Sequence, residues 1–180
     1  MEFVVVGLLL LRPATLYGLY HSFDQGISLF YAASYGSLNN ALKRLLANGL
    51  VEVRQSIVNG RNNKLYSVTA QGQQAFFNWM LEQPTPKNLE TAALSRVYFL
   101  GLLPTPALRA QVVRQILAAI DASAQALQQV DEAVGAIQVP PAYQPILTYQ
   151  LATLRYGLAS HHFSRRWFAD LLAGLEAEKT

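Results

Sequence analysis

Apolar side chains recur along this chain at intervals that mark out its elements. Residues 2–11 (EFVVVGLLLL) are apolar at nearly every position and predict a short buried helix. Arg12-Pro13 ends it, because the residue before a proline is pushed out of the helical region. Thr15 is placed to cap a second helix, with Leu16, Leu19, Tyr20 and Phe23 on one face. Residues 24–33, with Gly26, form a connection longer than the turn of a minimal helix-turn-helix. From Ser34 or Ser37 a third helix carries Leu38, Ala41, Leu42, Leu45 and Leu46 at helical spacing, and Asn48-Gly49 supplies its stop.

The hydrophobic period then changes to that of a strand. Residues 50–58 alternate through Val51, Val53, Gln55 and Ile57 as a half-buried strand. Asn59-Gly60 is a strong hairpin signal, since both turn positions need positive φ, and residues 65–68 return as the partner strand. Arg61-Asn62-Asn63-Lys64 follows the turn, so the hairpin tip is expected to carry two cations and two amides. Thr69 caps a further helix over about residues 70–82. Helix, helix, helix, strand, basic turn, strand, helix is the order of a winged helix-turn-helix.

Pro84, Pro86 and Asn88 mark a linker, after which residues 89–103 read as an apolar helix ended by Pro104. Thr105 with Pro106 opens a long helix with apolar positions Leu108, Val112, Ile116, Ile120, Leu127, Val130, Val134 and Ile137. Gly135 and Pro140-Pro141 close it. The last helix spans about residues 143–175. Its alternating steps of four and three land on Leu147, Leu151, Leu154, Leu158, His161, Arg165, Phe168, Leu172 and Leu175, a heptad seam. A second stripe, Tyr149, Tyr156, Phe163, Trp167 and Leu171, covers another side. A helix apolar on two faces needs two partners, one from its own chain and the other from a second subunit.

Composition narrows the classes. Of 180 residues 52% are hydrophobic and 14% charged, against about 25% charged in ordinary proteins, which excludes a disordered chain. A mean hydropathy of +0.17 raises the question of a membrane. The N-terminal apolar run is nine residues, however, where a spanning helix needs about 20. Glu2 in the usually basic region and Arg12-Pro13 at the expected cleavage site argue against a signal peptide. With no cysteine there is no disulfide, thiolate nucleophile or thiolate metal site. The expectation is a soluble, cytoplasmic chain with no membrane contact, oligomeric because it carries more apolar surface than one small monomer hides.

Charge separates the two halves. Residues 1–80 hold six basic side chains and three acids, whereas residues 81–180 hold eight of each. The solvent side of the third helix reads Ser37, Asn39, Asn40, Lys43 and Arg44, and no acid occurs between Asp24 and Glu52. A merely solvated face would mix Glu with Lys. An amide-rich, basic face suits a helix entering a major groove, where Asn bonds adenine and Lys or Arg reaches guanine or phosphate. No phosphate-cradling glycine loop, H-E-x-x-H or G-x-S-x-G motif is present. His161 and His162 are neighbours about 100° apart on a helix and converge on no metal without a ligand from elsewhere. Asp131-Glu132 reads as solvated surface. The sequence predicts no enzyme, no cofactor and no metal.

Several stretches together resemble the PadR family of winged-helix transcriptional regulators, especially its short members with a helical C-terminal domain. They are Val6-Gly7-Leu8-Leu9 before Pro13, Tyr17 with Leu19, Tyr35-Gly36-Ser37-Leu38 with Ala41-Leu42-Lys43-Arg44-Leu45, and Gly49-Leu50-Val51. Gly60-Arg61, Lys64, Tyr66, Thr69 and Gly72 complete the first half; Leu154-Arg155-Tyr156-Gly157 and Trp167 match more loosely. The expected fold is mainly α with a small β-hairpin: a winged helix-turn-helix over residues 1–83, then a long-helix dimerisation domain over 88–176. The resemblance implies a homodimeric repressor, with relatives that answer to phenolic acids or other aromatic compounds. Carried over by position, Tyr17 touches phosphate, Ser37, Asn39, Asn40, Lys43 and Arg44 lie on the recognition helix, and Arg61 and Lys64 sit in the wing. Tyr35, Asn62 and Asn63 join that expected DNA-binding set. Two departures stand out: Leu16 replaces the usual glycine before the tyrosine, and Asn39-Asn40 replaces a common Tyr-Pro pair.

The expected function is sequence-specific regulation, as a repressor bound to a duplex operator. The dimer interface is expected along Leu147, Leu151, Leu154, Leu158, His161, Arg165, Phe168 and Leu172. His161 and Arg165 interrupt that seam, either as a polar pair fixing register or as a sensor. In the second case Arg165 would meet an acidic small-molecule effector between Tyr149, Tyr156 and Trp167. Two alternatives stay open: a winged helix used for protein contact, and a helical dimer that chiefly binds small molecules.

Overall fold

The computed structural model describes residues 1–58, 61–135 and 139–177, and the side chains of 56–58, 61 and 62 fall outside that description. The expected Asn59-Gly60 turn and the expected core position Ile137 therefore lie outside the described residues. The chain divides into two compact units, one of residues 1–82 with 90–103 and one of 83–89 with 104–180.

The first unit contains α1 (Glu2–Leu11), α2 (Leu16–Asp24), α3 (Tyr35–Ala47), β1 (Val51–Val58), β2 (Arg61–Val68) and α4 (Ala70–Leu81), then all of α5 (Leu89–Tyr98) after its first residue. Each start has a local cause. Thr15 Oγ1 accepts from the Gly18 amide at 3.0 Å, occupying one of the free donors at the head of α2. Ser34 and Ser37 form a reciprocal box at the head of α3: Ser37 N donates to Ser34 Oγ at 3.1 Å and Ser34 N to Ser37 Oγ at 2.9 Å. Gly49, at φ +66°, turns the chain out of α3, a conformation that a side chain disfavours.

β1 and β2 pair antiparallel, from Val51 opposite Val68 to Val58 opposite Arg61. Arg61-Asn62-Asn63-Lys64, expected at a tip, are thus strand residues, because the ladder runs as far as the Val58–Arg61 pair. Ala14 adds a bridge on the other edge of β2, exchanging bonds of 3.1 and 2.9 Å with Tyr66. The sequence reading gave no sign of it. Val4–Val6, Leu8 and Leu9 of α1, Leu19 and Phe23 of α2, and Leu38, Ala41, Leu42 and Leu45 of α3 are buried together with Val51, Tyr66, Phe76 and Met80. By the usual burial coefficient each large side chain here stabilises the unit by about 1.5–3 kcal/mol.

Residues 90–103 pack with the first unit, beyond the proline-rich linker at which the sequence pattern sets the boundary. Phe99 stacks edge-on against Phe76 at 5.7 Å, and Thr91 Oγ1 donates to the Phe30 carbonyl at 3.3 Å. Arg96, 4% exposed, donates to the Trp79 carbonyl at 3.2 Å and the Ala92 carbonyl at 3.0 Å. Burial pulls its guanidinium below the usual arginine range, an effect that nearby Glu82 opposes. A proline linker signals a break in the chain's local structure, not which core the next helix joins.

The second unit is built on α6 (Pro106–Gly135) and α7 (Gln144–Ala177), antiparallel neighbours joined by a short connection. Val112, Val113, Ile116, Ala119 and Ile120 of α6 are buried, as are Phe168 and Leu175 of α7. Polar bonds cross between the same two helices: His161 with Ser123 Oγ at 2.9 Å, Arg165 Nε to Asp121 at 2.7 Å, and Arg114 to Glu176. The heptad seam thus faces α6 of its own chain. Of the residues expected against a second subunit, Phe168 is buried within the unit and Leu147, Leu151, Leu154, Leu158, His161 and Leu172 are half-buried, with Arg165 exposed. A seam pattern reports a helical partner without saying which chain supplies it.

Candidate nucleic-acid interface

At 100° per residue the buried stripe of α3, Leu38, Ala41, Leu42 and Leu45, leaves one line pointing directly away: Gly36, Asn40, Lys43 and Ala47. All four are exposed, and the two small residues at its ends let a ligand approach the helix closely. Among the described residues Lys43 makes no ion pair, so its ammonium stays available to an anion. Asn39 lies half-buried to one side and Arg44 exposed to the other. Ser37 is a different case, since its hydroxyl also donates to the Ser34 carbonyl at 2.7 Å and belongs to the cap.

α2 adds a flank of rings that sequence reasoning named only in part. Tyr17 is 69% exposed, its ring 6.5 Å from His21, and Tyr20 meets Tyr35 edge-on at 5.7 Å. Tyr20 is expected on the apolar face of α2, and the sequence pattern assigns His21 no role. Their exposure on the same helix as Tyr17, at steps of three and four, is the signal that could have found them. Tyr35 is itself 47% exposed.

In the hairpin, residues directly opposite share a face. Lys64 sits across from Gln55, and two residues along the same face Tyr66 sits across from Val53; Asn63 belongs to the other face, with the Arg54 and Leu65 pair. The expected cluster of cations and amides is therefore split by strand alternation. The side chains of Arg61 and Asn62 lie outside the described residues. Arg54, not counted among the site residues, is 81% exposed, with Glu52 3.8 Å away. Glu2 was also missed: its carboxylate lies 2.5 Å from Arg44 Nε.

In the second unit Tyr149, Tyr156, Phe163 and Trp167 are 75, 77, 62 and 42% exposed. They occupy the side of α7 nearly opposite the seam. Arg165, expected between Tyr149, Tyr156 and Trp167 as an anion partner, is directed at Asp121 instead, so an acidic ligand there would have to displace a carboxylate. No group of three or more metal-binding side chains occurs among the described residues, and none of their helices is long and apolar enough to cross a membrane.

Residues 5–78 match the model of the transcriptional regulator PadR-like family. A curated relative, the negative transcriptional regulator PadR of Bacillus subtilis (strain 168), is 24% identical over 105 residues, which cover 57% of this chain. The match spans 58% of that relative's length. Among solved structures, Bacillus subtilis PadR in complex with operator DNA is similar at 21% identity and a TM-score of 0.46, covering 97% of this chain and 98% of that one. The PadR-like regulator BC1756 from Bacillus cereus is similar at 22% identity and a TM-score of 0.40, with 98% of both chains covered.

Proposed function

We propose that this chain, whose residues 5–78 match the model of the transcriptional regulator PadR-like family, is a homodimeric, sequence-specific DNA-binding repressor and not an enzyme. It acts in the cytoplasm on duplex operator DNA and is released by an aromatic or hydrophobic small molecule. The observation that carries the reading is the outward line of α3, where Asn40 and the unpaired Lys43 stand between Gly36 and Ala47 on a helix anchored by four buried side chains. Rigid anchoring matters because a base-reading side chain must be held in register to discriminate. Tyr17 and Lys64 supply backbone contacts on either side, and Asn39 and Asn40 read base edges.

Repression follows from occupancy that excludes polymerase, and the negative role of the curated relative supports that sign. The exposed stripe of Tyr149, Tyr156, Phe163 and Trp167 supports an apolar contact in the second unit, where a second copy docks. Half-sites then lie about one helical turn, or a multiple of it, apart. An effector shifts the dimer only if it binds two dimer geometries with different affinity.

The test is selection of bound duplexes from a random pool by the full-length protein, followed by titration of the selected sequence at several salt concentrations. The reading expects an inverted-repeat consensus, and Lys43→Ala should flatten the salt slope by about one per subunit, about two for the dimer. No enrichment of any sequence at low ionic strength would overturn it.

A further inference from the structure

The first eighty residues hold three acids, and one of them stands at the recognition helix. Glu2 lies in the first turn of α1, where the helix dipole favours a carboxylate, and its Oε1 is 2.5 Å from Arg44 Nε on α3. The guanidinium is still 57% exposed and the carboxylate 33%, so the pair sits at the surface beside Asn40, not in the core. Of the two cations of α3, Lys43 makes no ion pair among the described residues and Arg44 is neutralised within the protein.

We infer that Glu2 is a specificity-determining residue that masks Arg44 and thereby weakens binding to non-operator DNA. The inference rests on the DNA-binding reading above. Non-specific affinity comes almost wholly from cations that displace counterions from phosphates. A paired arginine contributes little to it, since it must first give up its carboxylate, and that carboxylate is then left facing a polyanion. On an operator, base contacts from Asn39 and Asn40 add a sequence-dependent term that the mask leaves untouched. In the operator complex Asn39 and Asn40 fix the register of α3 and Arg44 keeps its carboxylate, whereas on random duplex an unregistered helix would bring an unmasked Arg44 to phosphate. Glu2 therefore lowers the background more than the specific complex, and the ratio of the two rises.

The experiment measures binding of the full-length protein to a selected operator and to random-sequence duplex as salt is varied. Four proteins are compared: wild type, Glu2→Gln, Arg44→Ala and the double variant, each checked for an unchanged thermal transition. Glu2→Gln is expected to tighten random-duplex binding about three- to tenfold at low salt, to steepen its salt slope by about one per subunit, and to lower the operator-to-random ratio. In the Arg44→Ala background the same change should have less than about a twofold effect. The inference is overturned if Glu2→Gln leaves random-duplex affinity and slope as they were, or tightens binding equally without Arg44, which would mark a general charge effect. Should Glu2→Gln prove unstable, Glu2→Asp, one methylene shorter, must give the intermediate affinity and slope of a loosened mask, and a wild-type value overturns the inference. A wild-type protein that binds no duplex at all would sink the DNA-binding reading itself, a result distinct from these.

Discussion

The guanidinium of Arg96 lies 4.5 Å from the ring centroid of Trp79, and the opposite ends of this contact reach two other helices. Trp79 stacks on Phe3 of α1 at 5.4 Å with rings 14° apart, while Arg96 belongs to α5. One cation thus ties the helix after the proline linker to both the first and the fourth helices of the winged-helix unit. Its Nε nevertheless finds no partner among the described residues, so the site is held by stacking and two carbonyl bonds at the expense of a buried, partly unsatisfied charge.

Removing that charge while keeping the stem should do little harm. Arg96→Met is expected to change the unfolding free energy by less than about 1.5 kcal/mol, because the Trp79 carbonyl also accepts from Glu82 N at 3.3 Å. Arg96→Ala leaves a void beside Trp79 and should cost about 2–4 kcal/mol. Urea denaturation of the full chain measures both, and equal losses would show that charge, not volume, fixes α5.

Gly72 admits no side chain. A Cβ built there would stand 1.9 Å from the carbonyl oxygen of Leu50, and Gly72 N already donates to the Thr69 hydroxyl at 3.0 Å. Gly72→Ala should cost about 3 kcal/mol or more, since backbone and not a flexible side chain must move. Thr69 also donates to the Gly49 carbonyl at 2.7 Å, so Thr69→Ala should cost about 1–2 kcal/mol, with Thr69→Ser recovering most of it. Thermal unfolding with matched enthalpies distinguishes the two.

Two neighbouring positions of α3 should separate cleanly in their effects. Ser37→Ala removes a capping hydroxyl and is expected to cost about 1 kcal/mol of stability without altering which bases are preferred. Asn40→Ala is expected to leave stability within about 0.5 kcal/mol and to relax discrimination at one base pair by about 1–3 kcal/mol. Competition titrations against single-base operator variants provide the readout, and altered base preference in the Ser37 variant would reverse the assignment.

On α7 the two apolar faces should respond differently. Phe168→Ala, on the side facing α6, is expected to destabilise the second unit by about 3–5 kcal/mol. Tyr156→Glu with Phe163→Glu, on the exposed side, should leave the folded helical signal intact while dissociating the proposed dimer in sedimentation experiments. A double variant that remains dimeric would place the subunit contact elsewhere.

Local signals were legible in the sequence wherever a neighbour within a few residues sets the conformation. Thr15, Ser34, Thr69 and Thr105 cap helices as read, because capping bonds span three residues. Gly49 ends α3, and alternation through Val51 and Val53 marks the strand, for the same reason. The Ala14–Tyr66 bridge, the Arg96–Trp79 stack and the Glu2–Arg44 pair join residues 17 or more positions apart and leave no periodic trace.

Periodicity and capping chemistry by themselves determined the order of elements, the apolar face of each helix and the cationic, amide-bearing side of α3, since all of these follow from spacing along one helix or strand. Which surface meets which was decided by tertiary packing. Residues 90–103 joined the N-terminal core, the heptad seam closed on α6 of the same chain, and Arg44 was claimed by Glu2. A hydrophobic stripe states that a partner exists; only the three-dimensional competition among all available surfaces selects the one that covers it.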